Sequence, residues 1–279
     1  IMLDSERWDY YQGLFASAIF LPNIFYYLEL GYFNPDALAQ PLLHLWSLGV
    51  EIQYYFLFPL VYLLCQKIRK SYRLYVFILL FVLSVSAYFL SSENFAFFIP
   101  ISRFWEFFLG AFCAFPATKL HTTKCTKYFL LILSYLIILL CLLYLKEVMT
   151  NERILTVLVC VATANIILLT KHRDLDLLGR VSILTGTGNI SYSLYLLHWP
   201  VFSGIFYFSG FRPDPLVLAL SVPFIFLISF FTYNSIEKGN YLIRRAHNSK
   251  FSFAKMFTLN FTYITLSLCM LIGLLGHLN

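Results

Sequence analysis

The chain has 279 residues, of which 60% are hydrophobic and only 12% charged, with a mean hydropathy of +0.75 and a net charge of +6. A single soluble core of this length cannot hide so much apolar surface, so lipid has to be the solvent for most of it. The basic residues sit in short clusters between apolar stretches, which is the distribution of cytoplasmic loops and not of a nucleic-acid-binding face.

Nine apolar stretches reach or approach the roughly 20 residues that a bilayer crossing needs. They lie near 13–30, 45–66, 74–90, 99–115, 128–145, 153–170, 187–209, 215–236 and 257–277. They are continuously apolar and lack the alternation of a membrane β-strand. The predicted fold is therefore all-α, a polytopic membrane helix bundle with about nine transmembrane helices. Residues 1–256 form the membrane domain, and residues 257–279 carry a final crossing. The chain opens on Ile1, and its first spans arrive without preamble, which predicts a fragment of a longer protein. With the first residues cytoplasmic, 16 of the 20 Lys and Arg fall in loops assigned to the inside; only Lys146, Arg153 and Arg212 fall opposite, and Arg103 lies within a span. That bias sets the orientation. The six cysteines show no C-x-x-C spacing and predict neither a disulfide framework nor a zinc site.

Charges and hydrogen-bonding clusters at membrane depth carry the information, because each is costly unless paired or functional. The first cluster opens the second span, from Gln40 through Pro41, His44, Trp46, Ser47, Glu51 and Gln53 to Tyr55. Pro41 suits a first helical position. His44, Ser47, Glu51 and Tyr55 then share one helix face, with Glu51 roughly 9 Å below the outer end. The second cluster holds Arg103 and Glu106 as i, i+3 neighbours, and Gly110 continues their face to admit a close helix. The third runs from Gly188 through Asn189, Tyr192, Ser193, Tyr195 and His198 to Pro200, which frees the Leu196 carbonyl and predicts a kink with a polar pocket. The plain alternatives are a structural ion pair for Arg103 and Glu106, a hydrogen-bonded core histidine for His198, and a loop-orienting role for His44. Glu51 has no basic neighbour on its own helix. One cavity collecting all three clusters is the joint expectation.

The segment Pro41-Leu42-Leu43-His44-Leu45-Trp46-Ser47-Leu48-Gly49-Val50-Glu51-Ile52-Gln53-Tyr54-Tyr55, with Pro59 following, closely resembles the hallmark of the acyltransferase family 3 membrane proteins, the O-antigen acetylase type. Asn23-Ile24-Phe25-Tyr26-Tyr27, Gly31-Tyr32-Phe33, Arg103-Phe104-Trp105-Glu106 with Gly110, and the run from Ser191 to Pro200 are similar to the family as well. The match covers about residues 20 to 236, with three motifs in order. The resemblance implies transfer of an acyl group, usually acetyl from cytoplasmic acetyl-coenzyme A, to a hydroxyl of a cell-surface glycan or lipid-linked saccharide such as O-antigen or lipopolysaccharide. It implies a multi-pass protein of the bacterial inner (cytoplasmic) membrane, in contact with membrane lipid, with no metal and no nucleic acid. Two departures stand out. Family members carry two or three further N-terminal helices, with a basic and acidic pair and a histidine used in acyl transfer, and none of that is in this sequence. The hallmark often has a second acidic residue where this chain has Ile52. A sub-type with the Gly-Tyr-Phe loop and an extra last span continues into a periplasmic SGNH-hydrolase-like domain.

The resemblance implies catalytic roles for His44, Glu51, Arg103, Glu106 and His198. Arg103 holds an anionic group or the oxyanion, with Glu106 orienting it, while Glu51 and His44 guide the acceptor hydroxyl. His198, Tyr192 and Tyr195 line the acyl route, and Trp46, Ser47, Gln53, Asn189 and Ser193 complete the substrate-binding set. Residues 1–279 alone are expected to insert without acetylating. The rivals are a secondary transporter or flippase, for which buried charges and a broken helix are equally natural, and a non-catalytic scaffold.

Overall fold

The computed structural model describes residues 4–29, 40–114, 123–144, 152–170, 182–210 and 212–238. The predicted crossing at 257–277 and the Gly31-Tyr32-Phe33 loop lie outside them. Every element among the described residues is helical. In chain order these are α1 Asp4–Ala18, α2 Pro22–Glu29, α3 Leu45–Gln66, α4 Lys70–Leu90, α5 Glu93–Phe98, α6 Pro100–Ala114, α7 Lys124–Tyr144, α8 Glu152–Leu169, α9 Ser182–Asn189, α10 Ser191–Phe208 and α11 Pro215–Thr232. A π-helical turn, Tyr233–Glu237, continues α11. The chain divides into two compact units, residues 1–53 with 185–279, and residues 54–184.

Five of these helices are long and apolar enough to cross a membrane: α3, α4, α7, α8, and α11 with its π turn. The burial pattern of the described helices inverts that of a soluble protein. Ser84, Ser102, Ser134, Ser193, Ser203, Ser221 and Ser229 are buried, while Leu90, Leu142 and Leu143 are 86%, 67% and 69% exposed. Small hydroxyl residues between helices with large apolar ones outside is the arrangement that lipid selects, because helix packing there rests on close approach and internal hydrogen bonds.

In the first unit, the crossing predicted at 13–30 is broken. α1 ends at Ala18 in a paired turn, with Leu21 N bonded to Ala16 O at 2.8 Å and Phe20 N to Ser17 O at 3.1 Å. Phe20 takes the left-handed position with φ of 61°, a place usually held by glycine or asparagine. An apolar residue there gives no turn signal, so the sequence reads as one continuous stretch. The strained corner is tied to α3, where Gln53 Nε2 donates to Phe20 O at 2.8 Å and to Asn23 Oδ1 at 2.8 Å. Asn23 returns a bond to Gln53 Oε1 at 3.4 Å and is fully buried. Gly49 makes this approach possible, since a Cβ there would meet Asn23 Oδ1 at 2.8 Å and the Pro22 ring at 3.0 and 3.1 Å.

α3 starts at Leu45, not at Pro41. Residues 41–44 form tight turns, with Leu43 N bonded to Gln40 O, Leu45 N to Leu42 O and Trp46 N to Leu43 O.

In the second unit, Ser84 of α4 donates to Ile101 O at 2.6 Å and accepts from Trp105 N at 2.8 Å, fastening α6 to α4. Ser102 reaches the Phe95, Ala96 and Ile99 carbonyls and closes the α5–α6 corner. Arg153 of α8 donates to Phe89 O and Ser91 O, each at 2.7 Å, and so satisfies carbonyls at the end of α4. Gly110 departs from expectation: among the described residues nothing lies within 4 Å of a Cβ placed there, so it marks no close helix crossing.

Candidate functional site

The polar face of α3 and the polar first half of α10 meet within the first unit. The His44 ring lies 5.3 Å from that of Tyr195 and 5.7 Å, edge to face, from that of His198; Tyr195 and His198 are 5.8 Å apart. The Tyr195 hydroxyl donates to the His44 carbonyl, and it lies 2.6 Å from Ser47 Oγ. A phenol has one hydrogen to give, so Ser47 is the donor in the second bond. Trp199 Nε1 donates to Gln40 O at 2.8 Å. Side chains of α10 thus satisfy the carbonyls of the turn before α3, a buried and non-helical stretch that needs such partners.

These contacts run antiparallel, with Gln40 beside Trp199 and Ser47 beside Tyr195. His44 therefore stands level with the middle of α10, which continues roughly 15 Å further to Phe208 at 1.5 Å per residue.

The two histidines differ. His198 Nδ1 lies 2.8 Å from Tyr195 O and 3.1 Å from Leu194 O. A carbonyl only accepts, so Nδ1 carries the hydrogen and Nε2 presents a lone pair. His44, in the turn outside the spanning helix, is 8% exposed, and among the described residues neither ring nitrogen has a hydrogen-bond partner. The Leu196 and Pro41 carbonyls are close enough to act on the ring, but neither completes a bond of normal geometry. The Leu196 carbonyl is the one that Pro200 deprives of its helical donor. Burial first, and His198 second, lower the His44 pKa well below its usual value, so the ring is neutral.

Glu51 is half-buried and lies within electrostatic reach of both Tyr192 and Tyr195. Gln53 is committed to the Asn23 clamp. Ser193 donates to Glu237 Oε1, and the Glu237 carboxylate also acts on Tyr192. Trp46 is half-buried; Asn189 and Tyr55 are exposed. Arg103 and Glu106 belong to the second unit and form the predicted i, i+3 ion pair at 2.7 Å. Arg103 also donates to Phe97 O at 3.1 Å and stacks over the Phe97 and Tyr88 rings at 5.1 and 5.8 Å. The guanidinium is thus built into the α5–α6 corner. Among the described residues, no three His, Cys, Asp or Glu side chains converge as a metal site requires.

Sequence reasoning missed Glu237 and the Asn23–Gln53 clamp. The one available signal for Glu237 was a lone carboxylate one residue beyond the predicted 215–236 span.

The described residues are those of an all-helical membrane protein in which a histidine of the turn before α3 faces a histidine of α10. The family model described as an acyltransferase domain (acyltransferase family 3) matches residues 8–234, and the chain belongs to that family. It is 28% identical over 245 residues to the "Putative membrane-bound transacylase BcsY" of Komagataeibacter xylinus, covering 85% of this chain and 61% of the relative. It is also 31% identical over 170 residues to an "Uncharacterized protein" of Haemophilus influenzae, covering 56% of this chain and 69% of that one. The chain thus spans less than two thirds of the length of the transacylase. No solved structure matches it.

Proposed function

We propose that this chain is the membrane part of an O-acyltransferase of the bacterial inner membrane. It moves an acetyl group from cytoplasmic acetyl-coenzyme A to a hydroxyl of a cell-surface glycan, such as O-antigen or lipopolysaccharide, or of a lipid-linked saccharide. Membership of an acyltransferase family and the transacylase name of a relative support the acyl chemistry. One observation carries the site: a buried, neutral His44 with neither nitrogen hydrogen-bonded among the described residues, beside a His198 whose Nε2 lone pair faces away from its backbone anchor. An unmet buried polar group costs about 1–3 kcal/mol, and a bound hydroxyl or carbonyl relieves that cost.

In this reading His198 Nε2 takes the proton of the acceptor hydroxyl, the hydroxyl oxygen attacks the thioester carbonyl, and coenzyme A leaves as the thiolate. His44 donates to the developing oxyanion or the incoming hydroxyl. Tyr195 and Ser47 are positioning residues that fix the turn carrying His44. The nine crossings read from the sequence belong to this proposal, with the first made by the α1–α2 corner instead of one straight helix.

The test is expression of the full reading frame in a strain that makes an acceptor glycan, followed by alkaline release of ester-linked acetate. Wild type should deposit acetate, and His198→Ala should lower it at least a hundredfold at equal membrane level. Uptake or flipping of a solute without ester formation would instead establish the transporter reading.

A further inference from the structure

In the second unit, α3 meets α4 and α6 through aromatic rings. Tyr54 stacks on Phe107 and on Phe58, with ring centroids 4.6 and 5.2 Å apart. Phe58 lies 6.2 Å from Phe77 of α4 and 6.4 Å from Phe108 of α6. Toward the Gln66 end of α3 the rings no longer fill the space. A cavity of about 190 Å³ remains there, lined by Phe58, Tyr62, Phe77, Phe108, Ala111 and Phe112. That is larger than the ~150 Å³ apolar cavity that stays dry and takes up a six-carbon ring. The lining side chains offer one hydroxyl and otherwise only hydrocarbon, so a polar ligand finds almost no partners in it. Tyr62 is 50% exposed, so the cavity reaches the surface of the protein.

The connection from α3 to α4 lies one helical turn away. Tyr62 precedes Gln66 by four residues and Phe77 follows Arg73 by four, about 6 Å in each case at 1.5 Å per residue. Lys70, Arg73 and Phe77 share one face of α4. Arg73 donates to Gln66 O at 2.9 Å and to Ile68 O at 3.2 Å, which pins the connection against the start of α4. Lys67, Arg69 and Lys70 are exposed, and the sequence has no Asp or Glu between Glu51 and Glu93 to neutralise them. Arg69 is the N-cap of α4 and makes no side-chain cap bond, so the positive end of a 21-residue helix adds to the side-chain charges. Exposed rings at Tyr72 and Tyr75 mark the head-group level. An excess of basic residues on the inside accounts for the sign of this loop; its fixed shape and the apolar cavity one turn away make it a site.

We propose that α3, α4 and α6 form a binding site for an anionic phospholipid of the cytoplasmic leaflet, the side to which the basic residues assign this loop. One acyl chain enters the aromatic cavity, and the phosphate lies at the start of α4 among Lys67, Arg69 and Lys70. Charge complementarity selects an anionic head group over a zwitterionic one. The apolar lining selects a lipid chain over the pantetheine arm of coenzyme A, whose amides would be buried there without partners. The site goes beyond the acyl-transfer reading and is tested separately from it.

The experiment is native mass spectrometry of the full-length protein in detergent micelles, with equal amounts of phosphatidylglycerol and phosphatidylcholine carrying the same acyl chains. Wild type should retain phosphatidylglycerol about tenfold over phosphatidylcholine, given the attraction that each surface Lys or Arg adds. Lys67→Gln, Arg69→Gln and Lys70→Gln together should bring the two lipids near parity. Ala111→Leu keeps every charge and fills the cavity, and it should lower phosphatidylglycerol retention several-fold. Lys124→Gln with Lys127→Gln, at the start of α7, should leave the preference unchanged. Equal retention of the two lipids by wild type would overturn the proposal. Full retention in Ala111→Leu would do so as well, and that variant decides alone if the loop variant fails to insert. A loss in the α7 variant as large as in the loop variant would also overturn it, because the preference would then belong to the whole basic side. Displacement of phosphatidylglycerol by an equal amount of coenzyme A would assign the cavity to the acyl donor and overturn the lipid site.

Discussion

Gly49 and Gly110 both sit in motifs near the functional side chains, yet alanine should act on them in opposite directions. Removing either helical glycine gains up to about 1 kcal/mol of helix propensity. At Gly110 nothing described lies within 4 Å of the new methyl group, so that gain stands alone. At Gly49 the methyl would lie 2.8 Å from Asn23 Oδ1 and 3.0 and 3.1 Å from the Pro22 ring. The ring cannot rotate away, and moving Asn23 disturbs its bonds to Gln53, which also hold Phe20. Overpacking of this kind costs about 1–3 kcal/mol, and an unmet buried amide adds a comparable amount. The net expectation for Gly49→Ala is a loss of about 1–5 kcal/mol, against no loss for Gly110→Ala. Thermal unfolding in detergent, followed by the fraction remaining monodisperse after heating, reads the difference as several degrees in Tm. Equal midpoints for the two variants would refute the reasoning, because the clamp would then not restrain the helix pair.

Tyr195→Phe removes the donor to the His44 carbonyl and the acceptor of Ser47, and should lower acetyl deposition about tenfold at normal membrane level, measured by alkaline acetate release and immunoblot. Arg103→Lys loses the Phe97 carbonyl bond and ring stacking, and should cost about 1–3 kcal/mol in the same thermal assay; an unchanged midpoint would argue against a built-in structural pair. Because burial lowers the His44 pKa to about 3, the unfolded chain binds more protons below pH 6.5, so stability should hold above that pH and fall as pH drops from 6.5 toward 3. His44→Gln should flatten that part of the Tm-against-pH curve. Reporter fusions after Lys70, Lys127 and Arg245 should read cytoplasmic, and those near Asn34, Asn94 and Asn279 outside; one inverted pair would break the orientation.

Where function depends on local spacing, the sequence was legible. Ser47 and Glu51 both act on Tyr195 because 4 is a helical interval within α3, and Arg103 meets Glu106 at the neighbouring interval of 3, whereas His44 sits in the turn before α3 and owes its place to that turn. The freed Leu196 carbonyl followed from the covalent structure of Pro200 and is one of the two carbonyls acting on His44. The hidden features depend on partners distant in the chain. Phe20 could be read as a turn only by knowing that Gln53 holds its carbonyl, and Glu237 as a site residue only through a π turn and a serine 44 positions earlier. Gly110 failed for a related reason, since spacing says which face a residue takes but not what lies opposite.

The corner at Phe20 also bears on how the protein is made. Synthesis is vectorial, and Gln53 comes 33 residues after Phe20. Until α3 arrives, the left-handed turn, which costs about 1–2 kcal/mol, is held only by its own backbone bonds, Leu21 N to Ala16 O and Phe20 N to Ser17 O, without the tie from Gln53. The third helix therefore acts as a template for the two before it. Delayed insertion of α3, or a ribosomal pause just before it, would leave α1 and α2 open to the membrane's quality-control proteases.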